Sequence, residues 1–528
     1  MSQPPIAPSS APVAWWFFLT SSCIKLLLIP TYHSTDFEVH RHWLALTHSL
    51  PLHQWYTDIT SEWTLDYPPF FAYFEFLLSY PASFLDSTIV DLRDGLWYSA
   101  PSVLLFQRFS VIISDLVLLT GVWIFVRKQT TLSKKKLVLL FVLWSPSLLI
   151  VDHVHFQYNG FLLGWLLVSM GFMVQGRDLI GGFVFACLIC FKHLFAVAAP
   201  VYFVYIFRHY CCGYGVWRGM KRFLVMGFAV GVVFASAFGP FLYHGQMSQV
   251  LKRLFPFGRG LCHAYWAPNF WVFYIILDKI LAFILKKLQF NIQEPTASFT
   301  RGLVGDSPTF TVLPQVSPAI SLAMVILTML PCLVQAWRFP RQRHFIRWVC
   351  YAYSCGFLFG WHVHEKASLH FVIPLGIIAI DSFQDAKHYF FLSIVSCYSM
   401  FPLLFEPKEY PIKVILLAIH SILMWSGLTS LFLKISPNSV HRKPRLGKNQ
   451  EDRLIGWIGG CYLLSLLAVE IWGQFLHAYI FGDMLPFFPL MLVSLYCAIG
   501  MIYSWAWQLR VILKSTDTLI SKKRKKFI

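Results

Sequence analysis

Residues able to do acid–base chemistry gather early in the chain. Asp36 and Glu38 stand in TDFEVHRHW, followed by Arg41 and His42. A hydroxyl attacking an activated sugar needs a carboxylate to take its proton. At a membrane surface such a group can meet a lipid-bound donor and a water-side acceptor. The same letters also fit a helix start. Thr35-x-x-Glu38 matches a capping box, and Val39, Trp43, Leu46 and Leu50 follow one helical face. Both readings stay open here. Next comes LDYPPFFAYFEF, where Asp66 and Tyr67 precede Pro68 and Pro69. The prolines start a helix. Asp66 either binds sugar hydroxyls or caps that helix. The aromatic stretch 70–85, with Glu75, reads as an interfacial helix.

Further clusters follow. In VDHVHFQYNG, the side chains Asp152, His153, His155, Gln157 and Asn159 crowd what reads as a short polar turn. Two histidines beside an aspartate suggest a metal. The helical spacing for that is i, i+4, however, and no third ligand stands nearby, so a hydrogen-bonded turn lining a polar cavity is preferred and no metal is expected. Lys192 and His193 interrupt an apolar run. Charges at membrane depth are functional candidates, although a lysine at a span end can also snorkel. Lys252, Arg253, Arg259 and His263 lie in LKRLFPFGRGLCH, where they suit an anionic phosphate or a solvated loop. His362, His364, Glu365 and Lys366 follow a span in FGWHVHEKA. His364 and Lys366 can supply positive charge to a leaving phosphate. The pattern is not H-E-x-x-H, which excludes a zincin.

The elements that must position these groups are membrane helices. The chain has 528 residues, 57% of them hydrophobic and only 13% charged. Soluble domains carry about 25% charged residues. The composition therefore excludes an ordinary soluble enzyme, a disordered chain and a nucleic-acid-binding module. A span needs about 20 apolar residues, and on that measure roughly fourteen are expected. They fall near 13–30, 105–126, 137–151, 158–174, 179–193, 194–207, 223–243, 318–337, 348–361, 367–383, 390–405, 412–433, 454–476 and 487–509. The uncharged start reads as preceding a retained first span rather than a cleaved signal. Net charge is +18. Basic clusters at 127–136, 208–222, 338–347, 434–453 and 510–526 all become cytosolic under the positive-inside rule. That requires 268–287, with Asp278 and Lys279 inside it, to lie in or re-enter the luminal face rather than span. Both termini are then cytosolic, and the long segments 31–104 and 244–317 are luminal. The expected organisation is a transmembrane body over 1–433 carrying those two luminal segments, a basic loop at 434–453, a C-terminal hairpin at 454–509 and a tail at 510–528. Among the 12 cysteines only Cys262 is clearly luminal, so no disulfide framework is implied. Nearly every polar cluster falls on one face. A transporter would place such groups near the midplane between matching repeats, and a scaffold would not need them.

The stretches TDFEVHRHW, LDYPPFFAYFE, DHVHFQYNGF, RLFPFGRGL and FGWHVHEKA, in this order, resemble the endoplasmic-reticulum glucosyltransferases that use dolichyl phosphate glucose. The resemblance implies the GT-C fold, a multi-span helical body whose luminal loops form the active site. It implies an inverting transfer with Asp36 as base, His364 at the donor phosphate, no tightly bound metal and no cofactor beyond the lipid-linked donor. The partners it implies are dolichyl-linked substrates and the bilayer, with no nucleic acid and no obligate protein partner. The family contains two sister activities, adding the first and the second glucose to the lipid-linked oligosaccharide. CHAYWAPNFW after Arg259-Gly260-Leu261 looks like the second. The final Lys525-Lys526-Phe527-Ile528 looks like a dilysine retrieval signal; as a bare charge run it would equally be a topology determinant or lipid-surface anchor.

Overall fold

The structure is a computed structural model that describes residues 10–213, 215–261, 267–292, 310–433 and 453–524. Cys262, His263, most of the 434–453 loop and the Lys525–Ile528 tail lie outside the described residues. Within them the chain is helical, with no β-strand. Lipid offers backbone groups no partner, so segments that cross it must satisfy their own hydrogen bonds. Eight helical stretches among the described residues are long and apolar enough to cross a membrane: Pro101–Val126, Leu132–Phe156, His193–Cys211, Val216–Tyr243, Pro318–Arg338, Pro407–Phe432, Trp457–Phe481 and Phe488–Ser515. Asn159–Val174 and Asp178–Phe191 are shorter apolar helices.

The chain forms two compact units. The first comprises Met1–Pro256, Pro340–Ile346 and Leu403–Leu416; the second comprises Phe257–Phe339, Arg347–Pro402 and Leu417–Ile528.

In the first unit the helices are α1 (Ser10–Leu27), α2 (Asp36–Ser49), α3 (Pro69–Leu85), α4 (Pro101–Ser114), α5 (Leu116–Val126) and α6 (Leu132–Leu143). A short α7 (Pro146–Leu148) runs on as a π-helix over Leu149–Phe156. Then follow α8 (Asn159–Val174), α9 (Asp178–Phe191), α10 (Ala199–Ile206), α11 (Val216–Tyr243) and α12 (Met247–Leu254). Glycines bring α5 and α8 together. A Cβ on Gly164 would stand 2.6 Å from the Val117 carbonyl oxygen, and one on Gly121 2.7 Å from the Gly164 carbonyl oxygen. Small residues at such a crossing let backbones meet.

The polar turn expected at 152–157 is instead the end of a helix. Asp152, His153 and His155 are buried on the π-helical segment, and extended backbone begins at Gln157. The last carbonyls of this segment find a donor in Arg108, which bonds the oxygens of His153 at 2.7 Å and Val154 at 2.9 Å.

The second unit contains α13 (Trp271–Lys287), α14 (Pro318–Arg338), most of α15 (Phe345–Phe359), α16 (Leu369–Ile378), α17 (Phe383–Ser399), most of α18 (Tyr410–Phe432), α19 (Trp457–Ile471), α20 (His477–Phe481) and α21 (Phe488–Arg524). Buried polar pairs join its helices: His388 with Ser504 at 2.7 Å and Tyr398 with Glu470 at 2.8 Å. In α13 the costly mid-segment charge has a partner. Asp278 is buried and accepts the backbone N–H groups of Thr311, Val312 and Leu313 at 3.0, 2.8 and 2.8 Å.

Candidate functional site

Asp36 opens α2, where the unpaired N–H groups and the helix dipole favour a negative charge. Its Oδ2 accepts from Gln157 Nε2 at 2.6 Å and stands 3.2 Å from His155 Nε2. The side chain remains 28% exposed, so a substrate can reach it. These donors lie about 120 residues downstream and belong to the end of the π-helical segment. They face one carboxylate because Phe156 between them takes a φ of +88°. Left-handed backbone costs a non-glycine residue about 1–3 kcal/mol and clusters at working sites. Complete burial holds it: Phe156 packs edge-on against Phe37, His40 and Tyr158, at ring separations of 5.0, 5.5 and 5.7 Å.

The approach to α2 is pinned to the same segment. Ser34 bonds the His155 carbonyl through both N–H and Oγ, at 2.9 and 2.7 Å. Arg108 reaches from the Tyr32 carbonyl, at 2.9 Å, to those of His153 and Val154. Tyr32 N–H in turn donates to Glu409 at 2.9 Å.

Behind Gln157 lies a second layer. Asn159 Nδ2 donates to Gln157 Oε1 and to Asp152 Oδ1, both at 2.8 Å. Gly160 N–H donates to Asp152 Oδ2 at 2.6 Å. Deeper still, Asp115 between α4 and α5 pairs with Lys25 of α1 at 2.6 Å and with His153 at 2.9 Å. The two histidines whose spacing was weighed against a metal pair thus engage different carboxylates. Among the described residues no group of three or more His, Cys, Asp or Glu is placed to hold a metal ion.

Around this centre the other expected residues divide. The capping-box alternative fails: Thr35 makes no side-chain cap bond, and Glu38 is held by Arg41 through Nε at 2.9 Å and Nη2 at 2.8 Å. Arg41 also bonds the carbonyls of Ile89 and Asp91, so the pair braces α2. Asp66 is not the cap of α3, whose cap position is Pro68 and carries no side-chain bond. Tyr67 lies near Asp66 and Asp36; burial first, then those carboxylates, push its hydroxyl well above the ordinary range, which keeps it a neutral donor. Glu75 is fully buried on α3, bonded to His40 at 2.7 Å, and burial raises its pKa. Lys192 does not snorkel: it is buried, with Nζ 5.0 Å from the Tyr67 ring centroid. His193 stacks edge-on against Phe255. Arg253 bonds Thr64 Oγ1 at 2.8 Å and the Tyr56 carbonyl at 3.3 Å, holding the 56–64 loop.

In the second unit, His362 adopts left-handed backbone, with φ +50°. Its N–H donates to the Leu261 carbonyl at 2.7 Å and its Nδ1 to that of Gly260 at 3.1 Å. The His364 ring stands 5.5 Å from that of His362, and Glu365–Ser368 form a 3-10 turn leading into α16. The His-Lys motif is thereby tied to the backbone immediately after Arg259.

Sequence reasoning passed over Arg108, Lys25 and Asp115 as participants and left Asn159 without a role. Arg108 and Lys25 did carry a signal: each is a lone cation within an apolar stretch.

A polytopic helical protein presenting a partly exposed, firmly oriented carboxylate fits the class of membrane glycosyltransferases. The family model described as "ALG6, ALG8 glycosyltransferase family" matches residues 21–508, and the chain belongs to that family. It is 61% identical over 498 residues to the Arabidopsis thaliana protein named dolichyl pyrophosphate Glc1Man9GlcNAc2 alpha-1,3-glucosyltransferase, covering 94% of this chain and 97% of that one. Proteins of the same name from Bos taurus and Mus musculus are 43% and 42% identical, covering 93% and 97% of this chain and 94% and 98% of their own lengths.

Proposed function

We propose that this enzyme transfers glucose from dolichyl phosphate glucose to the monoglucosylated dolichyl-pyrophosphate oligosaccharide, forming the second glucose's α-1,3 linkage. The observation that carries the mechanism is Asp36: partly exposed, at a helix N-terminus, with Gln157 and His155 both on Oδ2. Asp36 takes the proton of the acceptor 3-hydroxyl as its oxygen bonds to the donor C1, and the C1–O bond to phosphate breaks with its electron pair leaving on the phosphate. One displacement inverts the β-linked donor to an α product. Support for the acceptor and linkage comes from the names of the full-length relatives. Support for the donor comes from the FGWHVHEKA motif, in which His364 and Lys366 would meet the phosphate.

The same reading puts the protein in the endoplasmic-reticulum membrane as a GT-C enzyme with about fourteen spans, both termini cytosolic and the reaction luminal. The test offers purified enzyme labelled donor with acceptors bearing zero, one or two glucoses. Transfer to the monoglucosylated acceptor alone is expected. Preference for the unglucosylated acceptor would assign the sister activity, and movement of labelled lipid without a new glycosidic bond would assign transport.

A further inference from the structure

Gln157 can help Asp36 only in one orientation. Its NH2 end stabilises a carboxylate, whereas its carbonyl end would repel it. We propose that Asn159 is a positioning residue for the transfer, acting through Gln157 to hold Asp36 in line; the proposal rests on Asp36 being the base.

The order of donors and acceptors argues the case. Both oxygens of Asp152 accept, one from Gly160 N–H and one from Asn159 Nδ2. An acceptor at that place fixes which end of the Asn159 amide faces it. Asn159 Nδ2 then donates to Gln157 Oε1, which fixes the Gln157 amide and presents its Nε2 to Asp36. Every link is 2.6–2.8 Å long. With both carboxylates ionised such a chain runs only in this direction, and bonds in series strengthen one another in a low-dielectric interior.

Asn159 is 3% exposed and Asp152 1%, so they act on the reaction through their neighbours rather than by direct contact with substrate. Asn159 has no capping duty either, because Tyr158 takes the cap position of α8 without a side-chain bond. Its place also leaves no room for drift. A Cβ on the next residue, Gly160, would stand 2.1 Å from Asp115 Oδ1 and 3.4 Å from Asp152 Oδ2. The backbone that carries Asn159 is therefore pressed against Asp115 and close to Asp152, the carboxylate that orients the Asn159 amide.

The experiment is a double-mutant cycle on the full-length enzyme, with kcat and both KM values measured. Removing either amide lets Asp36 leave its line of attack, and misplacement by about 1 Å costs on the order of 100-fold in rate. Asn159→Ala and Gln157→Leu should each lower kcat by about 10- to 100-fold with KM changed less than about twofold. The double variant should be no slower than the worse single one, because both changes cut the same chain. Losses that multiply, or a loss confined to KM, overturn the proposal. Should the Ala chain fail to accumulate, Asn159→Ser carries the cycle, since its one hydroxyl donor cannot bridge both oxygens. Asp36→Asn is run beside them. Full activity there sinks the base assignment itself; an inactive Asp36→Asn with multiplicative losses at 157 and 159 sinks only the positioning role.

Discussion

Asp36 and Asp278 are both carboxylates that stand out in an apolar chain, and the structure treats them oppositely. Asp278 is 2% exposed and takes three backbone N–H groups from Thr311, Val312 and Leu313. Its acceptor capacity goes to fastening a strap of chain onto α13. Asp36 is 28% exposed and held from one side by two side chains, Gln157 and His155. Backbone donors make an anchor; side-chain donors on one oxygen make an oriented group that substrate can still reach. The lesson is that a charge in an apolar setting becomes a functional candidate through its exposure and the kind of donor around it, not through its setting alone.

Exchanging the two carboxylates' fates is the sharpest way to break this contrast. Asp36→Asn should lower transfer by about 10³-fold or more, the scale of a lost general base, with the protein's melting temperature nearly unchanged. Asp278→Ala should do the reverse. It orphans three N–H groups, at about 1–3 kcal/mol each, so the melting temperature should fall by several degrees while kcat per folded molecule stays within about twofold. An inactive but stable Asp278→Ala would erase the distinction.

A middle-sized effect concerns the donor side. His364→Ala and Lys366→Ala should each raise the KM for dolichyl phosphate glucose by about 10-fold, the scale of a charge-assisted contact, with the acceptor KM steady. Unchanged donor kinetics in both would remove them from the phosphate.

The smallest effect sits on α2 itself. Burial, and then the Arg41 charge, lower the His42 pKa from 6.5 to about 4. The unfolded chain takes up that proton as pH falls through 6.5, while the folded chain resists until about 4. The stabilisation is thus whole above pH 6.5 and lost on descending to 4. The melting temperature should drop by a few degrees across that window, and His42→Phe should flatten the slope. An equal slope in His42→Phe would refute it.

Hydropathy made most of the helical body legible, because the apolar runs are long: 318–337 is found as Pro318–Arg338, and 454–476 as Trp457–Phe481. The residues around Asp36 were visible too, as separate clusters. That the 36 and 155–157 clusters meet was not. Asp36 and Gln157 are 121 residues apart, as Lys25 and Asp115 are 90 apart, and no local period encodes such pairs. The 152–157 segment misled because polar letters at the end of an apolar run read as a turn; the π winding and the Arg108 bonds that keep it helical depend on a residue 45 positions away. Glu38 misled for the opposite reason. Its local fit to a capping box was good, and a stronger ionic partner three residues on won.

Arg108, with Ser34, stitches the stretch before α2 to the stretch carrying Gln157, and Glu409 secures Tyr32 on the other side. Asp36 and its donors therefore form one block. Swinging this corner would break several buried bonds at once. The direction of the Asp36 carboxylate is preset before any substrate arrives.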